Sequence, residues 1–211
     1  MGNEFITISP SEIEAESFRI ISNTLDEMNI VLKDDEAPIT KRVIHTTADF
    51  SFAETLEFSK DAVAIARGLI SNAATIVTDT NMTLSGINKK RLERFGVRVK
   101  CFMADEDVAK EAKERNVTRA SVSVERAALI GGPVIYSVGN APTALIELDR
   151  MIKEGTFTPA FIIGVPVGFV NVEYSKELFR GSSVPHIINY GKKGGSNVAA
   201  AIINALVYGI D

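Results

Sequence analysis

A chain of 211 residues, 45% hydrophobic and 24% charged, has an ordinary globular composition. Folding at this length buries roughly 70% of the unfolded surface, so a single domain over residues 1–211 is expected. A net charge of −4 and a pI near 5.4 argue against a nucleic-acid-binding face. No apolar stretch approaches the ~18 residues needed to cross a bilayer, and no basic segment followed by an apolar block opens the chain, so a cytoplasmic protein is expected. One cysteine and two histidines exclude an internal disulfide and a cysteine-rich zinc or iron–sulfur centre.

The first predicted element is a helix. Ser9 reads as its cap, Pro10 as the first helical residue and Glu12 as the side chain reaching back. Ile13, Ser17, Ile20, Ile21, Leu25 and Met28 then recur at helical spacing, so Ser17 falls on the apolar face. Its hydroxyl has two candidate partners there, a carbonyl one turn back or a ligand lying against the helix.

Beyond it, apolar runs alternate with helical patterns. Residues 42–45, 75–78, 97–103, 133–138, 160–165 and 186–190 read as strands, mostly continuous and rich in Val and Ile, as when both faces of a sheet are covered. Residues 61–72, 84–95, 107–115, 119–129, 143–153 and 172–179 read as helices. The expected fold class is therefore α/β, one domain with a doubly wound, mainly parallel sheet flanked by helices. The last helix, 197–208, carries no charge and is expected to be buried nearly all round, against the sheet or a second subunit. Cys101 reads as core, His186 as a packing or capping residue, and the acidic run Asp105, Glu106, Asp107 as a helix N-terminus rather than a metal site. No metal site is expected.

His45 is the leading candidate for chemistry. It ends the 42–45 run, which as a strand would place an imidazole at the rim of the sheet. An imidazole with an unperturbed pKa of ~6.5 exchanges protons near neutral pH, although a lone histidine is also commonly a satisfied polar group. The other unusual residues also fall at carboxyl ends of predicted strands: Thr46 and Thr47; Asp79, Thr80, Asn81 and Met82; Gly139 to Pro142; Gly164 to Gly168; and Gly191 to Ser196. Ligands of open parallel sheets bind outside that edge. Five loops there would form a wide mouth, although glycines at strand-to-helix corners also simply permit tight turns. The Gly191 to Ser196 segment, between a strand and a helix and flanked by two lysines, reads as an anion cradle suited to a carboxylate. Neither a phosphate-loop nor a dinucleotide glycine motif is present. Arg119 stands at a helix start behind Thr118 and either offers its fork to a carboxylate or is a solvated helix-end charge.

Six motifs in this order and spacing resemble the precorrin-8X (cobalt-precorrin-8) methylmutase family: Arg-Val-Ile-His-Thr-Thr-Ala-Asp-Phe, Thr-Asp-Thr-Asn-Met with Ser-Gly-Ile-Asn, Thr-Arg-Ala-Ser, Gly-Asn-Ala-Pro-Thr-Ala-Leu, Gly-Val-Pro-Val-Gly-Phe-Val and Gly-Lys-Lys-Gly-Gly-Ser. The resemblance runs from Glu16 to Leu206. Lys192 stands where the family more often has arginine, so a point charge replaces a bidentate fork.

The resemblance implies a cytoplasmic, homodimeric isomerase of cobalamin biosynthesis. It implies a 1,5-sigmatropic methyl shift that turns precorrin-8 or its cobalt form into hydrogenobyrinic or cobyrinic acid, with no cofactor and no methyl donor. His45 would be the general acid. Ser17, Thr46, Asp79, Thr80, Met82, Asn88, Arg119, Gly194, Gly195 and Ser196 would hold the tetrapyrrole and its carboxylate arms. The Thr-Thr-Ala-Asp-Phe and Thr-Asp-Thr-Asn-Met variants lean towards the cobalt-containing route. Two other classes fit less well: a corrinoid carrier would use the same cradle without an acid, and a nucleotide-dependent enzyme would need phosphate motifs.

Overall fold

The computed structural model describes Ser9 and residues 12–210, so the place expected for Pro10 lies outside the described residues. Glu12 does reach back, its Oε2 accepting from the Ser9 hydroxyl (2.6 Å) and the Ser9 N–H (3.3 Å), but the cap position of the first helix is Glu12 itself and not Ser9, and no side chain caps that helix. In chain order the elements are α1 (Ile13–Glu27), α2 (Ala37–Thr47), α3 (Phe52–Thr55), β1 (Leu56–Phe58), α4 (Ala62–Ser71), β2 (Thr75–Thr78), α5 (Asn81–Gly86), α6 (Lys89–Glu93), β3 (Val99–Lys100), α7 (Glu106–Glu114), α8 (Arg119–Ala128), β4 (Val134–Val138), α9 (Pro142–Lys153), β5 (Phe161–Gly164), α10 (Val172–Glu177), β6 (His186–Asn189) and α11 (Ser196–Tyr208).

The six strands lie in the order β1-β6-β5-β4-β2-β3; every pairing is parallel except that of β1 with β6. Alternate side chains of the buried strands feed two cores. Ile76, Ile135, Phe161, Ile163 and Ile187 pack with α2, α4 and α11, while Val77, Val134, Tyr136, Val138, Ile162 and Ile188 pack with α8 and α9. This is the expected doubly wound α/β domain, with helices on both faces. The chain reverses direction across the sheet between β2 and β4, where such sheets open a crevice at the strands' carboxyl ends.

The expected strand at 42–45 is instead the end of helix α2. Ile39, Thr40, Val43 and Ile44 are its buried residues, a spacing of three and four that only a helix keeps on one face. Pro38 lies in its first turn, and Ala48, at φ 53°, ends it in the left-handed region. The first strand is instead β1, at the edge next to β6, where Leu56 is buried and Glu57 exposed. The predicted helix 84–95 is two short helices, because Ile87 is extended and Asn88 starts a new cap. Helix α11 buries nine residues, Val198 to Val207 among them, within this chain, so its lack of charge is accounted for by α2, α4, α5 and the sheet.

Two glycines let the carboxyl-edge loops touch. A Cβ on Gly139 would stand 2.8 Å from Ser196 Cα, and one on Gly194, whose φ is +156°, would stand 2.1 Å from the Val165 carbonyl oxygen. The loop after β4 therefore approaches α11, and the loop after β6 approaches the loop after β5, more closely than any side chain would permit.

Candidate active site

Helix α2 carries Arg42 and His45 three residues apart, on neighbouring positions of one face. The His45 ring stacks on Phe18 of α1, with centroids 5.3 Å apart and planes 20° from parallel. The Arg42 guanidinium lies 4.7 Å from the Phe18 ring centre and 5.3 Å from that of Tyr208, while Arg91 lies 5.1 Å from Tyr208 on its own approach. His45 is exposed, and neither ring nitrogen has a hydrogen-bond partner among the described residues. The imidazole is thus held in place through its flat face, with both nitrogens open to a ligand.

A cavity of about 290 Å³ opens beside it, lined by Arg42, His45, Thr46, Asn197, Asn204 and Tyr208 over a floor of Gly86, Ala200 and Ala201. The floor is tightly fitted, since a Cβ on Gly86 would come within 2.9 Å of the Ala200 Cβ. A second hollow of about 360 Å³ adjoins it, sharing Arg42 and Tyr208 and adding Glu14, Asn88 and Arg91. Its wall is pinned by α11: the Asn204 side chain accepts from the Asn88 N–H (2.8 Å) and donates to the Gly86 carbonyl (2.9 Å), and the Asn88 amide donates to the Tyr208 hydroxyl (3.3 Å). Small residues below, two guanidiniums and an imidazole at the rim, and amides between them suit a flat ligand with anionic arms.

One turn away, at the start of α11, lies a second group of the predicted residues. Thr80 caps α5 by accepting from the Thr83 N–H (3.0 Å), and its hydroxyl meets that of Ser196 at 2.8 Å. Gly195 N–H donates to the Val165 carbonyl at 2.8 Å and is therefore not available to a ligand, whereas the N–H groups of Gly194 and Ser196 have no partner among the described residues. Asp79 is fully buried and does not reach a surface. Its carboxylate accepts from the N–H groups of Gly139 (2.8 Å), Asn140 (2.7 Å) and Ala141 (2.7 Å), filling the crevice at the strand reversal. Burial pushes the Asp79 carboxyl up, and those three bonds offset part of the rise.

The remaining predicted residues are dispersed. Ser17 donates to the Ile13 carbonyl one turn back at 2.9 Å, the plainer of its two candidate partners. Met82 is exposed on α5, and Arg119 is exposed at the start of α8, behind the capping Thr118, with no ion pair among the described residues. Lys192 is exposed, 3.8 Å from Glu173. His186 is buried, with Nδ1 2.7 Å from the Val184 carbonyl, and Asp105, Glu106 and Asp107 form the N-terminus of α7, as read from sequence, with no side-chain cap bond from Asp105. Cys101 is half-buried rather than core.

Phe18, Arg42, Arg91, Asn197, Asn204 and Tyr208 join the site without having been singled out in the sequence. A signal existed for three of them: Asn197, Asn204 and Tyr208 lie seven and four residues apart, on one polar stripe of an otherwise apolar, uncharged helix.

This geometry defines an α/β protein with a solvent-facing acid–base group beside a flat, cation-rimmed hollow. The sequence profile of precorrin-8X methylmutase matches residues 12–209. The chain is 43% identical to the cobalt-precorrin-8 methylmutase of Salmonella typhimurium, over 94% of this chain and 95% of that one. It is 41% identical to the cobalt-precorrin-8 methylmutase of Priestia megaterium, over 95% and 88%. The crystal structure of precorrin-8X methyl mutase from Thermus thermophilus superposes with a TM-score of 0.83 at 37% identity, over 93% of this chain and 96% of that one. The chain belongs to the precorrin-8X methylmutase family, isomerases of cobalamin biosynthesis that move a methyl group within one molecule.

Proposed function

We propose that this protein converts cobalt-precorrin-8, or its metal-free counterpart, into cobyrinic or hydrogenobyrinic acid by a 1,5-sigmatropic methyl shift, with His45 as the general acid. The observation that carries the reading is the His45 imidazole, stacked on Phe18 with both nitrogens unpaired, at the rim of a hollow flanked by Arg42 and Arg91. A shift that extends conjugation is helped by protonating the macrocycle, and a positioned acid contributes typically about 10²–10⁴-fold. No methyl donor enters, so the chain needs no donor-binding glycine motif.

In this reading the macrocycle lies on the Gly86, Ala200 and Ala201 floor, with Thr46 and Asn88 at its edge and its acetate and propionate arms on Arg42 and Arg91. Further arms reach Thr80, Ser196 and the N–H of Gly194, with Arg119, Met82 and Ser17 as outer contacts; Asp79 and Gly195 shape the loops from within. The cobalt-containing substrate is favoured because the Salmonella and Priestia relatives are cobalt-precorrin-8 methylmutases. The protein works in the cytoplasm as a homodimer; Val167, Phe169 and Val170 supply an exposed apolar loop for that contact.

Incubating the purified protein with cobalt-precorrin-8 and following the visible spectrum tests the function. Conversion to the cobyrinic acid spectrum within single-turnover conditions is expected. Tight binding with an unchanged chromophore would mark a carrier and reject the enzyme.

A further inference from the structure

Lys176, in α10, has no exposed surface and no carboxylate partner among the described residues. Its ammonium donates to two backbone carbonyls of the loop after β6, those of Gly191 (2.7 Å) and Lys193 (2.8 Å). The intervening Lys192 carbonyl accepts from the Gly168 N–H at 3.1 Å, and the Lys193 carbonyl also accepts from the Asn189 side-chain amide at 2.9 Å. Three successive carbonyls are thus turned inward, towards donors of the protein. The N–H groups of Gly194 and Ser196 stay unpaired, and the Lys192 and Lys193 side chains lie on the exposed side. A peptide loop is ordinarily as much an acceptor as a donor; one with its oxygens withdrawn repels an anion less and presents its positive ends. Burying an unpaired ammonium is costly, and burial holds Lys176 down to about 8, with Glu173 pulling it partly back up. An apolar side chain would avoid that cost, so a packing role alone does not account for the lysine.

We infer that Lys176 is a positioning residue for substrate: by drawing the Gly191 and Lys193 carbonyl oxygens into the interior, it keeps the outer face of the 191–196 loop able to receive a carboxylate arm of the corrinoid. This rests on the function proposed above. Acting on binding and not on the proton transfer at His45, it separates KM from kcat.

Steady-state conversion of cobalt-precorrin-8 by the full-length protein provides the test. Lys176→Met is expected to raise KM about tenfold, the equivalent of one charge-assisted contact, with kcat within about twofold of wild type. Asn189→Ala removes the other donor to the Lys193 carbonyl and leaves the lysine in place; a rise of about threefold in KM at unchanged kcat is expected, and this variant decides the matter where Lys176→Met does not fold. An unchanged KM in either folded variant, or equal losses in kcat and kcat/KM, overturns the positioning role alone. A wild-type protein that neither binds nor converts the corrinoid removes the functional reading on which it stands.

Discussion

Replacing His45 with alanine is expected to lower kcat by about 10²–10⁴-fold while leaving corrinoid affinity within a few-fold of wild type. The separation follows from where the side chain sits. His45 is exposed, has no hydrogen-bonded partner among the described residues, and touches the fold chiefly through its stacking on Phe18. Truncating such a residue changes stability by about 0.5–1 kcal/mol, a melting shift of a few degrees at this chain length. The guanidiniums of Arg42 and Arg91 and the Asn88–Asn204–Tyr208 wall that would hold the ligand remain in place. Spectral titration with the corrinoid product gives the affinity, and single-turnover conversion gives the rate. A variant that binds and converts as wild type does would assign the proton to another group.

Asp79→Ala is expected to act through stability instead. Its carboxylate is the acceptor for three N–H groups at the turn into α9, and alanine leaves the buried donor of Gly139 and the part-buried donors of Asn140 and Ala141 without it. Each such loss costs about 1–3 kcal/mol, so a total on the order of 3–5 kcal/mol and a melting temperature lower by about 10 °C are expected in thermal denaturation. Asp79→Asn, which keeps one carbonyl oxygen and turns an amide towards the remaining donors, should fall between alanine and wild type. The carboxyl's native pKa lies above its ordinary value of 3.8, so the native state holds this proton more readily than the unfolded chain does. The proton-linked part of its contribution to stability is therefore fully present below pH 3.8 and is lost as pH rises through the raised native value, while the acceptor bonds to the three N–H groups are made on either side of it. A melting temperature unchanged by Asp79→Ala would mean that the loop after β4 does not depend on this acceptor.

These two residues also show what the sequence could and could not convey. Strands β2, β4, β5 and β6 were legible because they are buried on both faces and read as short continuous apolar runs. Residues 42–45 have the same local appearance, and four residues do not distinguish a strand from a helix end; the stripe formed by Ile39, Thr40, Val43 and Ile44 emerges only when the window reaches back to Pro38. Strand β1, three residues long with Glu57 at its centre, carries too little pattern to announce itself. His45 stood out through its rarity and its motif. Its surroundings did not, because Phe18, Arg42 and Tyr208 are brought together only by the packing of α1 and α11 against α2, and Arg91 only by the approach of α6 to Tyr208. Asp79 was visible as an unusual residue at a strand end, but whether its carboxylate faces a ligand or the backbone depends on how close the loop after β4 comes, which is a matter of tertiary structure.

A co-crystal structure with cobyrinic acid decides whether His45 faces the macrocycle. The corrin plane is expected on Gly86, Ala200 and Ala201, with an imidazole nitrogen of His45 within about 3–3.5 Å of the macrocycle and carboxylate arms on Arg42 and Arg91. A macrocycle seated elsewhere, with His45 facing solvent alone, would contradict that placement.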